Sequence, residues 1–148
     1  MRFKALAVAI AATSTLALAA TPADAAVNWG TVSTNSNWHC TDYKHHPVSD
    51  YVNFKVCIVA NANHDAQAVL VVQNAASVAV AIGGTVDGPG GLETCADSTL
   101  NPGFTRGCFG GTIHFGPDKF ASANATLKLN GVNDKYSPNS YAIVYGPV

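Results

Sequence analysis

The sequence is poor in charged residues. Its 148 residues include eight Lys or Arg and nine Asp or Glu, so that charged side chains make up 11% of the chain. These charges are scattered, whereas a surface that binds nucleic acid needs a clustered basic face. We therefore expect no nucleic-acid partner.

Long apolar runs are also missing, apart from one near the start. Residues 5–20 are apolar except for Thr13, Ser14 and Thr15 and follow two positive charges, but Pro22 and Asp24 come soon after them. A membrane helix is the alternative, but it needs about 20 apolar residues. A positively charged start, a short apolar stretch and small residues at the cleavage site are typical of a secretory signal peptide. We predict a signal peptide over residues 1–25 and a single secreted, extracellular domain over residues 26–148, with no membrane contact after cleavage.

Recognisable catalytic and nucleotide-binding motifs are absent as well. The sequence has no G-x-S-x-G element, no P-loop and no dinucleotide-binding fingerprint. A Ser–His–Asp set can be assembled on paper from its five histidines, but no local signature supports one. We therefore predict a non-catalytic protein without a cofactor. The histidines are His39, His45, His46, His64 and His114.

What the chain does contain is an even number of cysteines, all after the predicted signal peptide: Cys40, Cys57, Cys95 and Cys108. Four cysteines in an exported chain indicate two disulfides with three possible connectivities. We favour Cys40–Cys57 and Cys95–Cys108, because each pair brackets a turn-rich stretch between strand-like segments. Each closed loop would contribute about 3 kcal/mol in the chain-entropy model.

A metal site is the competing interpretation of the first cysteine region. His39, Cys40, Asp42, His45 and His46 lie within eight positions. Structural zinc sites, however, usually show closely paired Cys or His ligands, and a single cysteine stands here among the histidines. We therefore expect a polar loop beside a disulfide and no bound metal.

Short β-like runs separated by Gly, Pro, Asn and Asp follow along the chain. Val52–Ile58 alternates between apolar and polar residues, and Ala66–Gln73 is apolar on both faces. The intervening residues 61–65 predict a hairpin loop. We also predict a strand over Ala75–Ile82 with Val78, Val80 and Ile82 facing inward. The Ala-rich composition of residues 60–82 leaves a helix as the alternative, but the β-branched residues in this segment favour a strand.

The second half predicts more strands and turns. Strand-like runs occupy 93–96, 104–109, 125–130 and 141–145, while Gly83-Gly84 and Gly88–Gly91 suggest a mobile surface connection. The whole pattern predicts an all-β fold, a small β-sandwich of seven to nine short antiparallel strands or a small barrel.

Aromatic residues in polar surroundings suggest a surface for binding another secreted protein. Trp and Tyr supply large contact area at low entropic cost. The alternative for the two tryptophans is that they cover the end of the core. The candidates for partner binding are Trp29, Trp38, Tyr43, Tyr141 and Tyr145, together with Arg106.

Two further mechanisms of binding remain open. Residues 26–37 form a possible extended arm, and Val27–Val32 alternates as a strand donated to another protein's sheet edge would. Alternatively, a disulfide-pinned loop such as Leu100–Arg106 could enter the active site of a protease or glycosidase, since a rigid loop loses little entropy on docking. That second possibility makes the protein an inhibitor of a hydrolase.

Several segments resemble a group of small two-disulfide exported proteins of actinobacteria: Asn35–Cys40, Val56–Val59, Thr105–Cys108 and Leu127–Val132. The resemblance is one of pattern and extends over most of the predicted mature chain. Some members of the group are similar to the small adaptor subunit of umbrella toxin particles, which links a lectin-like subunit to a large toxin. The resemblance implies a non-catalytic adaptor in an extracellular antibacterial complex.

Overall fold

The computed structural model describes residues 25–114 and 120–137, and this part of the chain consists of nine β-strands without a helix. The predicted signal peptide, except for Ala25, and the predicted strand 141–145 lie outside the described residues. The strands are β1 Trp38–Cys40, β2 Lys44–His46, β3 Ser49–Ala60, β4 Asp65–Asn74, β5 Val80–Gly88, β6 Gly91–Leu100, β7 Thr105–His114, β8 Asn124–Leu129 and β9 Val132–Tyr136.

The strands form two antiparallel sheets that pack face to face. The five-stranded sheet has the order β1-β3-β4-β7, and β2 also pairs with β3; the four-stranded sheet has the order β6-β5-β8-β9. The inward-facing side chains of both sheets form one apolar core. The predicted sandwich is therefore confirmed, with β1, β2 and β9 as strands that the sequence pattern did not reveal.

Two hairpins follow directly from turn chemistry. Residues 61–64 connect β3 to β4 as predicted, and the Asn61 side-chain oxygen accepts hydrogen bonds from the backbone N–H groups of Asn63 (2.9 Å) and Asp65 (3.0 Å). Asn130 and Gly131 join β8 to β9 with φ values of 48° and 84°. Positive φ at both central residues is characteristic of the type I′ turn that Asn-Gly favours.

A second apolar cluster lies on the outer face of the five-stranded sheet. Cys57, Val69 and Val71 are fully buried there, beneath Val32 of the N-terminal arm, Trp38 of β1 and other partly buried side chains. Strand β4 therefore has an apolar environment on both of its faces, which confirms the interpretation of Ala66–Gln73 as a central strand.

The predicted strand over Ala75–Ile82 is wrong in its first half. Residues 75–79 are a loop in which the chain crosses from one sheet to the other, and β5 begins only at Val80. Val80 and Ile82 are buried as predicted, whereas Val78 is 63% exposed. The alternation of apolar residues continued through a segment whose backbone had already left the sheet.

The glycines predicted to form a mobile connection lie mostly within regular structure. Gly83 and Gly84 are inside β5, at a break in its register with β6, and Gly84 has a φ of 139°. Such a bulge is a frequent role for glycine in a strand. Gly88 and Gly91 pair with each other and close the hairpin between β5 and β6.

Both predicted disulfides are present in the favoured connectivity. Cys40–Cys57 joins directly opposite residues of β1 and β3. Cys95–Cys108 joins β6 to β7, and therefore ties one sheet to the other. Cys95 and Cys108 are buried in the core, whereas Cys40 is exposed.

The opposite side of the sandwich is joined by polar contacts between β9 and the β2 region. Lys44 Nζ lies 2.7 Å from Asp134 Oδ2, and the Tyr136 hydroxyl donates a hydrogen bond to the Asp42 carbonyl oxygen at 3.2 Å. Lys44 also lies over the Phe54 ring at 5.6 Å. These contacts hold the two sheets together where no disulfide does so.

The N-terminal arm, residues 26–37, lies against the domain's own sheets, and its residues 36 and 37 form a turn before β1. Val27 pairs with β6 at Cys95, and Gly30 pairs with β7 at Gly107. The arm then crosses the outer face of the five-stranded sheet to reach β1. No helix within the described ranges is long and apolar enough to span a membrane.

Candidate functional site: the loop end of the sandwich

A buried asparagine organises one end of the sandwich. Asn74, the last residue of β4, is fully buried. Its side-chain nitrogen donates hydrogen bonds to the carbonyl oxygens of Val78 (2.9 Å) and Leu100 (3.0 Å), and its side-chain oxygen accepts one from the Ala76 N–H (2.9 Å). The loop 75–79 is thus fixed to the end of β6.

The Asn74 backbone fixes a second loop. Its N–H donates to the Phe104 carbonyl oxygen (3.0 Å), and its carbonyl oxygen accepts a hydrogen bond from the Gly103 N–H (2.8 Å). The next residue, Ala75, donates its N–H to the Tyr51 carbonyl oxygen (2.8 Å). Segments that are far apart in sequence therefore meet around one side chain and its backbone.

Large apolar side chains project into solvent from these segments. Tyr51 is 65% exposed, Val78 63% and Phe104 45%, and Val48 in the nearby β2–β3 turn is 47% exposed. We call this surface the loop end. It consists of the exposed side chains around Asn74: Val48, Tyr51, Val78 and Phe104. Hydrogen bonds to Asn74 and Ala75 hold the backbone of Tyr51, Val78 and Phe104, while the apolar side chains remain accessible.

The turn 101–104 is the most constrained segment of the loop end. The Phe104 N–H donates to the Asn101 carbonyl oxygen (3.3 Å), and Gly103 has a φ of 78°. Pro at the first central position and Gly at the second are the residues that a type II turn prefers. Pro102 and Gly103 thus form a tight turn within the loop that the inter-sheet disulfide Cys95–Cys108 closes.

Arg106 lies beside this turn, within β7. Its guanidinium group stacks on the Phe104 ring at 4.8 Å and donates a hydrogen bond to the Thr105 carbonyl oxygen at 2.8 Å. Leu100 ends β6 and is buried. The predicted loop Leu100–Arg106 is therefore shorter than expected, because both of its ends belong to strands.

The two tryptophans are largely engaged within the domain. Trp29 packs against the core and its indole N–H donates to the Ala96 carbonyl oxygen at 2.7 Å. Trp38 packs edge-on against Phe109 with ring centroids 6.1 Å apart. Both are half-buried, in line with the alternative that they cover parts of the core.

Tyr43 lies outside the loop end, on the outer face of the five-stranded sheet beside Lys55. The Lys55 ammonium group lies 4.5 Å from the centre of the Tyr43 ring, and Tyr43 is 41% exposed. Partial burial raises the pKa of the Tyr43 hydroxyl above its usual value. The remaining candidates, Tyr141 and Tyr145, lie outside the described residues.

The histidines near Cys40 do not point to a common site. His45 is exposed and His46 is 1% exposed, so these neighbours lie on opposite faces of β2, and the cysteine is in a disulfide. Over residues 25–114 and 120–137, no three or more His, Cys, Asp or Glu side chains are grouped closely enough to hold a metal ion.

One histidine–carboxylate pair lies at the opposite end of the sandwich. His114 Nδ1 is 3.1 Å from Asp65 Oδ1, and Asn61 donates a hydrogen bond to Asp65 Oδ2 at 3.1 Å. The Asn61 hydrogen bond, with a further contribution from His114, lowers the pKa of Asp65. The pair is exposed and closes the ends of β4 and β7.

Sequence reasoning missed Asn74, Tyr51 and Val78 as members of a site. One signal was available for Asn74: in β4 the inward positions continue from Leu70 and Val72 to Asn74. A polar residue at an inward position needs hydrogen-bond partners, so it indicates a local structural role.

Comparison with known proteins finds no matching family model and no matching curated protein or solved structure.

Proposed function

We propose that this chain is a secreted, non-catalytic protein-binding module that contacts another secreted protein through the loop end. The observation that carries the proposal is the set of exposed apolar side chains around the fully buried Asn74. A tyrosine, a phenylalanine and a stacked arginine at one end of a rigid domain are the residue types that dominate binding energy at protein interfaces.

Rigidity is the physical reason why this surface suits binding. Association costs free energy when loops and side chains become ordered, and a preformed surface reduces that cost. At the loop end, Asn74 holds the turn 101–104, and the disulfide Cys95–Cys108 joins the two strands that the turn connects. The backbone beneath Phe104 is therefore ordered before any partner arrives.

The finer proposal is an adaptor subunit in an extracellular antibacterial toxin complex. It rests on the resemblance to small exported actinobacterial proteins and on the predicted signal peptide. Two disulfides suit an oxidising, extracellular location. In this role the domain would join a large toxin or a lectin-like subunit by contact alone.

Co-purification from culture supernatant tests the proposal. The tagged chain is expected to retain a large secreted subunit in stoichiometric amount, and the double variant Tyr51→Ser, Phe104→Ser is expected to lose it. Leu92→Ser is the matched control, because Leu92 is 67% exposed but lies on β6, away from the loop end. Retention by the double variant, or loss by the control, would contradict the loop end as the contact surface.

The hydrolase-inhibitor alternative receives less support from the geometry. The exposed segment is a four-residue turn, and the Arg106 side chain is stacked on Phe104 and bonded to Thr105. Capture of a single protease or glycosidase together with loss of its activity would favour this alternative over the adaptor.

A further inference from the structure

The N-terminal arm occupies a built site between the two sheets. The Val27 N–H donates to the Thr94 carbonyl oxygen (2.7 Å), and the Val27 carbonyl oxygen accepts a hydrogen bond from Ala96 (2.8 Å). Gly30 and Gly107 exchange two further hydrogen bonds of 2.8 and 2.9 Å. We call this site the strand slot. It consists of the backbone edges of β6 at Thr94–Ala96 and of β7 at Gly107.

The strand slot has side-chain requirements as well as backbone ones. A Cβ atom at position 30 would lie 3.2 Å from the Phe109 ring, and one at position 107 would lie 2.9 Å from the Val32 side chain. The slot also receives the Trp29 indole, which donates to the Ala96 carbonyl oxygen. It therefore fits an extended segment with an aromatic residue, then a glycine, then an apolar residue two positions later.

An empty slot would be unfavourable. Val32 of the arm packs over Cys57, Val69 and Val71, which are fully buried. Departure of the arm would expose these apolar residues to water, and their burial is a main source of stability. The slot therefore needs an occupant, and the arm sequence itself is the one segment whose fit the structure shows.

The connection between the arm and the sandwich is a candidate hinge. Residues 33–37 are all exposed, and the Ala60 N–H donates to the Asn37 carbonyl oxygen at 3.0 Å. Trp38 then starts β1, which the disulfide Cys40–Cys57 fixes to β3. The arm can therefore leave the slot by rearranging residues 33–37 while β1 stays in place.

We propose that the strand slot also binds in trans, and that its occupant is the N-terminal arm of a second copy, giving an arm-exchanged dimer. The arm makes the same contacts in either copy, so exchange conserves the buried surface and the hydrogen bonds. Exchange of an identical element is a low-cost route to a dimer. This inference does not rest on the proposed function.

The length of the hinge provides the test. From Gly30 to Trp38 the chain crosses four strand spacings, about 19 Å, and its eight residue steps can span about 26 Å. Deletion of residues 34–36 reduces this reach to about 17 Å, which is too short for the arm to reach its own slot. Residues 26–148 with this deletion should be dimeric by light scattering, whereas insertion of Gly-Ser-Gly after Thr34 should favour the monomer.

A shortened chain that is folded and monomeric would overturn the proposal. If the shortened chain does not fold, the proposal is tested on the full predicted mature chain, residues 26–148. Isotope-labelled and unlabelled chains are refolded together at concentrations from about 10 µM to about 1 mM, because mass action governs the dimer fraction. Mixed dimers in native mass spectrometry, absent when residues 26–33 are deleted, support arm exchange; a monomer at every concentration, or dimers that persist after that deletion, contradict it.

Discussion

The side-chain amide of Asn74 donates a hydrogen bond of 3.0 Å to the carbonyl oxygen of Leu100, and so joins the end of β4 in one sheet to the end of β6 in the other. Because Asn74 and Leu100 are both buried, the Leu100 carbonyl oxygen has no water to replace this hydrogen bond. The loop end depends on this one residue for its shape.

Substitution Asn74→Ala should lower the free energy of unfolding by about 2–4 kcal/mol, because it removes three hydrogen bonds and leaves the buried Leu100 carbonyl oxygen without a partner. Urea denaturation followed by tryptophan fluorescence measures the change. Asn133→Ala is the control, since Asn133 is exposed on β9, and it should change stability by less than about 0.5 kcal/mol. Equal effects of the two substitutions would show that Asn74 has no organising role.

A second prediction concerns the bulge in β5. Gly84 has a φ of 139°, and a Cβ atom there would collide with the Thr126 carbonyl oxygen on the neighbouring strand. Gly84→Ala should therefore destabilise the fold by about 3 kcal/mol or more. Gly91→Ala separates backbone strain from collision, because Gly91 has a φ of 100° and open space around it; its cost should be about 1–2 kcal/mol.

The two disulfides should differ in their susceptibility to reduction. Cys40 is exposed, whereas Cys95 and Cys108 are buried, and a thiolate must reach a sulfur atom to attack it. Under native conditions dithiothreitol should reduce Cys40–Cys57 first, as measured by alkylation and peptide mass spectrometry over time. Simultaneous reduction of both bridges would mean that global unfolding controls access.

Stability should fall in acid partly through Asp65. The hydrogen bond from Asn61, and then His114, lowers the pKa of Asp65 below its ordinary value of 3.8. A carboxyl group with a lowered pKa in the folded state stabilises that state above its ordinary pKa, and this contribution is lost as the pH falls through the folded-state value. Melting temperatures measured between about pH 2 and pH 7 should converge for wild type and Asp65→Asn at the acid end. A constant difference across this range would exclude the linkage.

Much of the fold could be predicted because its signals are local. The alternation in Val52–Ile58, the apolar run Ala66–Gln73 and the hairpin loop between them each depend on neighbours in sequence. The disulfide connectivity was favoured for the same reason, since each pair closes a short loop.

The features that could not be predicted depend on contacts between distant segments. Val78 continues an apolar alternation, yet it is exposed because the chain crosses between sheets there. Nothing local reveals that Tyr51 and Phe104 flank Asn74, because three different strands or loops must first be assembled. The alternation in Val27–Val32 indicates an extended segment, but it does not specify which sheet edge receives that segment.

The position of the disulfide Cys95–Cys108 has a consequence for resistance to proteolysis. The exposed turn 101–104 lies between the two bridged cysteines, and exposed turns are preferred sites of cleavage. A protease that cuts this turn would break the chain but leave its two parts covalently joined, each still carrying strands of both sheets. The domain could therefore lose a peptide bond in this exposed turn without coming apart.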